Sequence, residues 1–213
     1  MKKYEGIIFD LDGVICHTDH YHYLAWKQLA DRLGIYFDEH INNRLRGVSR
    51  MESLEIILEN SKRVYTDTEK IEFAKQKNES YRQLLARMSP ADLPAEVKNT
   101  LNALRKSGCK LAIGSSSKNA RFILERIGLA NYFDAVTDGC QIKHSKPDPE
   151  VFLLAAQQLG LAPQDCLVVE DAAMGIEAAI RGGFNAAGLG EAKTCKAAKY
   201  HLSRFGELED IIN

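Results

Sequence analysis

Two aspartates, Asp10 and Asp12, close the apolar run Ile7-Ile8-Phe9 and are followed by Gly13. Such a run reads as a strand buried on both faces, as in parallel sheets. Like charges this close repel, and one carboxyl must rise in pKa unless a cation or proton intervenes. Open α/β sheets bind ligands just beyond the carboxyl ends of their strands. The pair therefore suits two jobs. One carboxylate stays ionised and attacks phosphorus, while the other carries a proton to or from an ester oxygen. Strand alternation would point side chains i and i+2 the same way, and a turn at Gly13 lets the second swing toward the substrate. A plain solvated turn also accounts for Asp-Leu-Asp-Gly, since Asp and Gly are ordinary turn residues.

Three other places carry matching chemistry: Ser115 after a strand-like run, Lys146 before a helix, and Glu170-Asp171 after another apolar run. In a parallel sheet the strand ends point one way, so these groups converge on one edge. Four carboxylates in one crevice require a cation, and an all-oxygen set suits Mg²⁺. Lys146 adds a point charge and Ser115 a hydroxyl donor, both suited to phosphate oxygens. Together they describe phosphoryl transfer through an aspartyl phosphate. Each has a plainer reading: Ser115-Ser116-Ser117 as a turn and N-cap, and Glu170-Asp171 as acids favoured at a helix start. Ser117, Lys118 and Asn119 at a helix N-terminus also form a plausible anion site.

The elements that position these groups alternate. From Pro94 onward the order is helix (Val97, Leu101, Leu104), strand 110–114, helix (Ala120, Ile123, Leu124, Ile127), strand 133–136, helix 150–159, strand 166–169, helix 172–180, strand 185–188 and helix 207–212. That alternation predicts a doubly wound parallel sheet, α/β in class, with the first strand belonging to it. Residues 16–90 read differently. Trp26, Leu29, Ala30 and Leu33 share a helix face ended by Gly34, Leu54, Ile57 and Leu58 mark a second, and Ile71, Ala74, Tyr81, Leu85 and Met88 line a third, with Asn78 a polar break. No strand is expected there. The organisation expected is a Rossmann-like core, 1–15 and 91–213, with a helical cap, 16–90, inserted after the first strand and overhanging its two acids. Ser89-Pro90-Ala91-Asp92-Leu93-Pro94 marks the return.

The 213 residues carry a net charge of −1, 45% hydrophobic and 27% charged residues, so no field favours nucleic acid or an anionic membrane. The five cysteines are scattered without a C-x-x-C pair, which fits free thiols rather than disulfides or zinc. With neither a signal-like segment nor a long apolar span, a cytoplasmic monomer acting on a small molecule is expected.

Four ordered motifs carry a resemblance: Phe9-Asp10-Leu11-Asp12-Gly13-Val14, the strand ending at Ser115, Lys146-Pro147, and Glu170-Asp171 before a helix containing Gly175. On these the chain resembles the haloacid dehalogenase superfamily. Its β-phosphoglucomutase branch is suggested by Tyr21-His22 with Ala25-Trp26, Arg46-Gly47-Val48-Ser49-Arg50, Lys77-Asn78, Ser89-Pro90-Ala91-Asp92 and Ser117-Lys118-Asn119. The resemblance implies Asp10 as nucleophile and Asp12 as general acid/base. It implies Mg²⁺ held by Asp10, the Asp12 backbone carbonyl, Glu170 and Asp171, with Ser115 and Lys146 on the transferring phosphate and a cis bond at Lys146-Pro147. Arg50, Ser117, Lys118 and Asn119 would take the sugar's other phosphate. His22 and Lys77 would contact cap-side groups and couple closure to proton transfer. The implied reaction converts β-glucose 1-phosphate to glucose 6-phosphate through glucose 1,6-bisphosphate. A sugar-phosphate phosphatase of the same superfamily is the alternative, followed by a non-catalytic phosphometabolite-binding protein. Taken without the resemblance, His22 reads as a helix-start residue, and Arg50 and Lys77 as surface charges. One departure stands at the hinge: His17, where an acid is expected by analogy, is a group able to change charge near neutrality.

Overall fold

A computed structural model describes residues 3–45 and 48–212. The chain divides into two compact units, one of Met1–His17 with Met88–Asn213, the other of Thr18–Arg87.

The first unit is built on a six-stranded parallel sheet: β1 (Gly6–Phe9), β2 (Lys110–Gly114), β3 (Ala135–Thr137), β4 (Cys166–Glu170), β5 (Asn185–Gly188) and β6 (Tyr200–His201), in the order β3-β2-β1-β4-β5-β6. The order reverses at β1, which pairs with β2 on one side and β4 on the other. That reversal opens the crevice where doubly wound sheets bind ligands. Register matters here. Phe9 lies level with Ile113 and with Val169, so Asp10, just past β1, lies beside Gly114 and Glu170 at the ends of β2 and β4.

Both faces of β1 are covered. Ile8 belongs to a buried cluster with Val168, Phe152 of α7 (Glu150–Leu159) and Ile176 of α8 (Ala173–Arg181). Phe9 points the other way, stacked on Phe205 at 5.6 Å and edge-on to Phe133 at 6.3 Å. Complete burial of Ile7, Ile8 and Phe9 explains why this run is continuous rather than alternating.

Helices α5 (Ala95–Lys106), α6 (Ala120–Arg126) and α9 (Leu208–Ile212) complete this unit. The third strand covers 135–137 rather than 133–136. Asp134 precedes it, and its carboxylate takes the Leu111 amide at 2.8 Å, so a side chain ends the ladder. The last helix starts at Leu208, after a 3₁₀ turn at Phe205–Glu207.

The second unit holds helices and no strand among its described residues: α1 (Asp19–Leu33), α2 (Glu39–Asn43), α3 (Arg50–Leu58) and α4 (Asp67–Leu85). Gly34 ends α1 in the left-handed region at φ 67°, where its amide and that of Ile35 satisfy the last carbonyls. Capping boxes open α3 (Ser49 with Glu52) and α4 (Thr66 with Glu69). The α4 seam differs from expectation. Ile71 is exposed, Met88 lies beyond the helix, and the buried face runs Ala74, Lys77, Tyr81, Leu84 and Leu85. The polar member of that face is Lys77; Asn78 flanks it. Arg46 and Gly47 of the Arg46–Arg50 motif lie outside the described residues.

Candidate active site

β1 delivers Asp10, whose amide donates to Val169 O at 2.9 Å. β4 delivers Glu170, whose Oε2 accepts the Ala172 amide at 2.8 Å. Lys146, joined to Pro147 by a cis peptide bond, reaches between them from the approach to α7. It donates to Asp10 Oδ1 and, at 2.7 Å, to Glu170 Oε1. The ring of Phe152 lies 4.6 Å from its Nζ. All three charged side chains are buried: 9% exposed for Lys146, 9% for Asp10 and 2% for Glu170.

One ammonium shared by two buried carboxylates leaves negative charge in excess. Burial pushes the Asp10 carboxyl up to about 7; Lys146 opposes the rise, while Glu170 and Asp12 add to it. Burial disfavours the Lys146 charge, but Asp10 and Glu170 outweigh that and hold the ammonium above its usual range.

The donor set fits a hard cation. Asp10, Glu170 and Asp171 each place one carboxylate oxygen so that all three lie within 4.8 Å of one another. An oxygen-only set of this kind suits Mg²⁺. Two glycines make room for these carboxylates. Gly13 has φ +89°, and a Cβ there would sit 2.0 Å from Asp171 Oδ2. A Cβ on Gly175, in α8, would sit 1.9 Å from Glu170 Oε1. Gly175 has ordinary helical backbone, so Gly175→Ala is expected to fold and displace the Glu170 carboxylate. Mg²⁺ affinity by calorimetric titration should fall about tenfold or more, the scale of a displaced support for a metal ligand. Unchanged affinity would remove Glu170 from the metal set.

Asp12 is placed by a turn rather than a strand, because β1 stops at Phe9. Asp12 bridges to Cys16, the Gly13 amide donates to Cys16 O at 2.7 Å, and the amides of Ile15 and Cys16 return to Leu11 O. The alternation argument for Asp10 and Asp12 therefore does not apply; the closed turn sets their relation. The Asp12 carboxylate is not one of the three clustered oxygens. Cys16 is buried, and burial first, then Asp12, Asp10 and Asp92, push its thiol above the usual range, which leaves it inert.

Ser115 is buried just beyond β2, its amide on Thr137 O at 3.1 Å. Its Oγ accepts the Ser117 amide at 3.1 Å, and Ser117 Oγ accepts the Asn119 amide at 3.2 Å. These nested turns fix the loop before α6. Within it Lys118 is exposed and Asn119 buried.

The remaining candidates belong to the helical unit. His22 on α1 meets Lys77 on α4, Nδ1 to Nζ, at 2.9 Å. Arg50 donates to Asn78 Oδ1 at 2.9 Å. The surface reading of Lys77 fails, since it is 3% exposed. Burial first, then Lys77 and Arg50, hold His22 well below its usual pKa, so the ring is neutral. His17 is exposed. Phe152, Asn78, Trp26 and Tyr81 contact candidate site residues but carry no assignment from sequence. The spacing of Trp26 from His22 and of Tyr81 from Lys77, each i to i+4, is the signal that could have found the last two.

Residues 4–183 match the family model described as haloacid dehalogenase-like hydrolase. The chain is 41% identical to β-phosphoglucomutase of Bacillus subtilis strain 168, over 96% of this chain and 91% of that one. It is 34% identical to fructose-1-phosphate phosphatase YqaB of Escherichia coli strain K12, over 87% of this chain and 96% of that one. Among solved structures it resembles β-phosphoglucomutase from Clostridium difficile with a TM-score of 0.88 and 37% identity, over 96% of this chain and 93% of that one.

Proposed function

The chain belongs to the haloacid dehalogenase-like hydrolase family, and from that premise we propose that it is a Mg²⁺-dependent phosphosugar mutase. The proposed reaction interconverts β-glucose 1-phosphate and glucose 6-phosphate through glucose 1,6-bisphosphate. The observation that carries it is the buried Asp10–Lys146–Glu170 set beside Asp171, a nucleophile already held by a cation at a strand end.

Asp10 attacks phosphorus, and the ester oxygen leaves with a proton from Asp12; in the reverse direction Asp12 takes the proton of the attacking sugar hydroxyl. Phosphorylated Asp10 passes its group to the monophosphate. The bisphosphate then reorients, and Asp10 takes back the other phosphoryl group. Lys146 and Ser115 hold oxygens of the transferring group. Asp10, the Asp12 carbonyl, Glu170 and Asp171 would hold Mg²⁺, which would supply positive charge for the phosphoryl oxygens. Arg50, Ser117, Lys118 and Asn119 are assigned to the other phosphate, and His22 and Lys77 to cap-side oxygens.

A phosphatase is the second reading, favoured by the similarity to the fructose-1-phosphate enzyme. Both use Asp10 and Asp12; they differ in whether water reaches the phosphorylated aspartate. A phosphorus NMR time course separates them, with enzyme, Mg²⁺, β-glucose 1-phosphate and a trace of glucose 1,6-bisphosphate. Glucose 6-phosphate with little free phosphate supports the mutase, whereas free phosphate as the main product overturns it.

Arg50→Ala discriminates further. A charged hydrogen bond to a phosphate contributes about 1.5–3 kcal/mol. Phosphosugar kcat/KM is therefore expected to fall about 10- to 100-fold, with hydrolysis of a small aryl phosphate nearly unchanged. Equal losses on both substrates would take Arg50 away from the second phosphate.

A further inference from the structure

Two pairs of residues, each spaced i to i+4, face one another in the helical unit: His22 and Trp26 on α1, Lys77 and Tyr81 on α4. The Lys77 ammonium lies 4.6 Å from the Trp26 ring centroid and 4.7 Å from that of Tyr81. Trp26 is 3% exposed, Tyr81 1% and Lys77 3%, so the contact is desolvated. The His22 ring lies over Tyr81, centroids 4.0 Å apart. Lysine is among the residues least often buried, and a charge moved out of water needs compensation. Two ring faces carry the negative side of an aromatic quadrupole, and such contacts strengthen when water is excluded.

We propose that Trp26 and Tyr81 are positioning residues that clamp Lys77 as a buried ammonium and, through it, lock His22 in the Nε2–H tautomer. An ammonium only donates, so the His22 Nδ1 that meets it at 2.9 Å accepts. The ring proton then resides on Nε2. Toward any ligand the His22–Lys77 pair presents hydrogen-bond donors and no acceptor. It recognises oxygens that accept, such as phosphate, ether or hydroxyl oxygens with a free lone pair, and rejects groups able only to donate. Neither aromatic residue touches the reacting atoms in this assignment; each acts by fixing Lys77. The proposal deepens the sugar-phosphate reading and rests on it only for the kinetic test below.

The first test needs no substrate. Long-range proton–nitrogen correlation on the ¹⁵N-labelled protein should show His22 with a pyridine-like Nδ1 and a pyrrole-like Nε2. A protonated Nδ1 would overturn the tautomer lock, whatever reaction the enzyme performs. The second test replaces position 81. Tyr81→Phe keeps the ring face and should preserve both the His22 spectrum and KM for β-glucose 1-phosphate within about twofold. Tyr81→Leu removes the face; a buried contact of this kind is worth roughly thirtyfold. KM should rise by about that factor with kcat changed less, and the two His22 tautomers should mix. Because Tyr81→Leu also opens space in a packed interior, a fluorinated phenylalanine series at position 81 provides a control of nearly constant volume. Successive fluorines withdraw charge from the ring face, and KM should climb in step. A flat series would overturn the clamp even if Tyr81→Leu fails to fold. Failure of the sugar-phosphate reading looks different: the His22 spectrum stays as expected while β-glucose 1-phosphate is not turned over.

Discussion

Asp10→Asn is expected to fold normally and to lower turnover of β-glucose 1-phosphate by about five to six orders of magnitude. That is the scale on which covalent enzymes fail without their nucleophile. The substitution is nearly isosteric, so the amide oxygen can still accept from Lys146, which now donates to Asp10 Oδ1. It also removes a buried charge that Glu170 and Asp12 oppose. These changes partly offset one another, and the melting temperature should stay within a few degrees of the wild type. What disappears is the attacking oxygen. Rapid quench with a labelled phosphoryl donor should trap a protein-bound phosphate in the wild type and none in Asp10→Asn. A variant that keeps more than a tenth of the wild-type rate would displace Asp10 from the nucleophile's role and end the aspartyl-phosphate mechanism. Loss of turnover together with a collapsed melting curve would instead make Asp10 a structural acid.

The reason Asp10, Ser115, Glu170 and Asp171 are legible in the sequence as one candidate set is geometric. Ile7–Phe9, Leu111–Gly114 and Leu167–Val169 are short apolar runs, and each is followed by a residue with a polar function. In a parallel sheet, ends of equal register lie side by side, as the Phe9–Ile113 and Phe9–Val169 pairs do. Knowing the strands is then almost knowing which candidates the sheet edge brings together. Where periodicity was the only guide, the reading slipped. On α4, apolar spacing selected Ile71, which is exposed, and left Lys77 outside the seam, although it is buried. A lysine counts as polar in any such pattern; its burial depends on Trp26, which comes from another helix. The roles of Gly13 and Gly175 were hidden for a related reason. A glycine followed by apolar residues suggests a turn or close packing, but not that a carboxylate oxygen occupies the place of its missing Cβ. The helix α2 and the two-residue strand β6 are too short to carry a period at all.

Lys146→Ala should have the largest effect on stability, because it removes the side chain that, among the described residues, joins two buried carboxylates. Deleting a partner from a buried ion pair typically costs about 3–5 kcal/mol, since the remaining charge stays desolvated. Here Asp10 and Glu170 would both be left, and Glu170 already raises the cost of ionising Asp10. The sign of the pH dependence follows. With its folded pKa raised further above the unfolded value, Asp10 binds a proton in the native state that the unfolded chain has released. Stability of the variant therefore rises as pH falls from about 7 toward the unfolded value near 4, the reverse of a carboxylate held in a salt bridge. Urea unfolding of Lys146→Ala at pH 5 and pH 7, with and without millimolar Mg²⁺, tests all three points. The deficit should be largest at pH 7 without the ion, smaller at pH 5, and reduced when Mg²⁺ binds the native carboxylates. Adding Asp10→Asn to Lys146→Ala should recover part of the loss, because the two sites share a contact and their effects cannot add. If the single variant were as stable as the wild type at pH 7, or if the double variant showed the simple sum of the two changes, Lys146 would not be neutralising the pair. Its place at the site would then have to rest on contact with substrate alone.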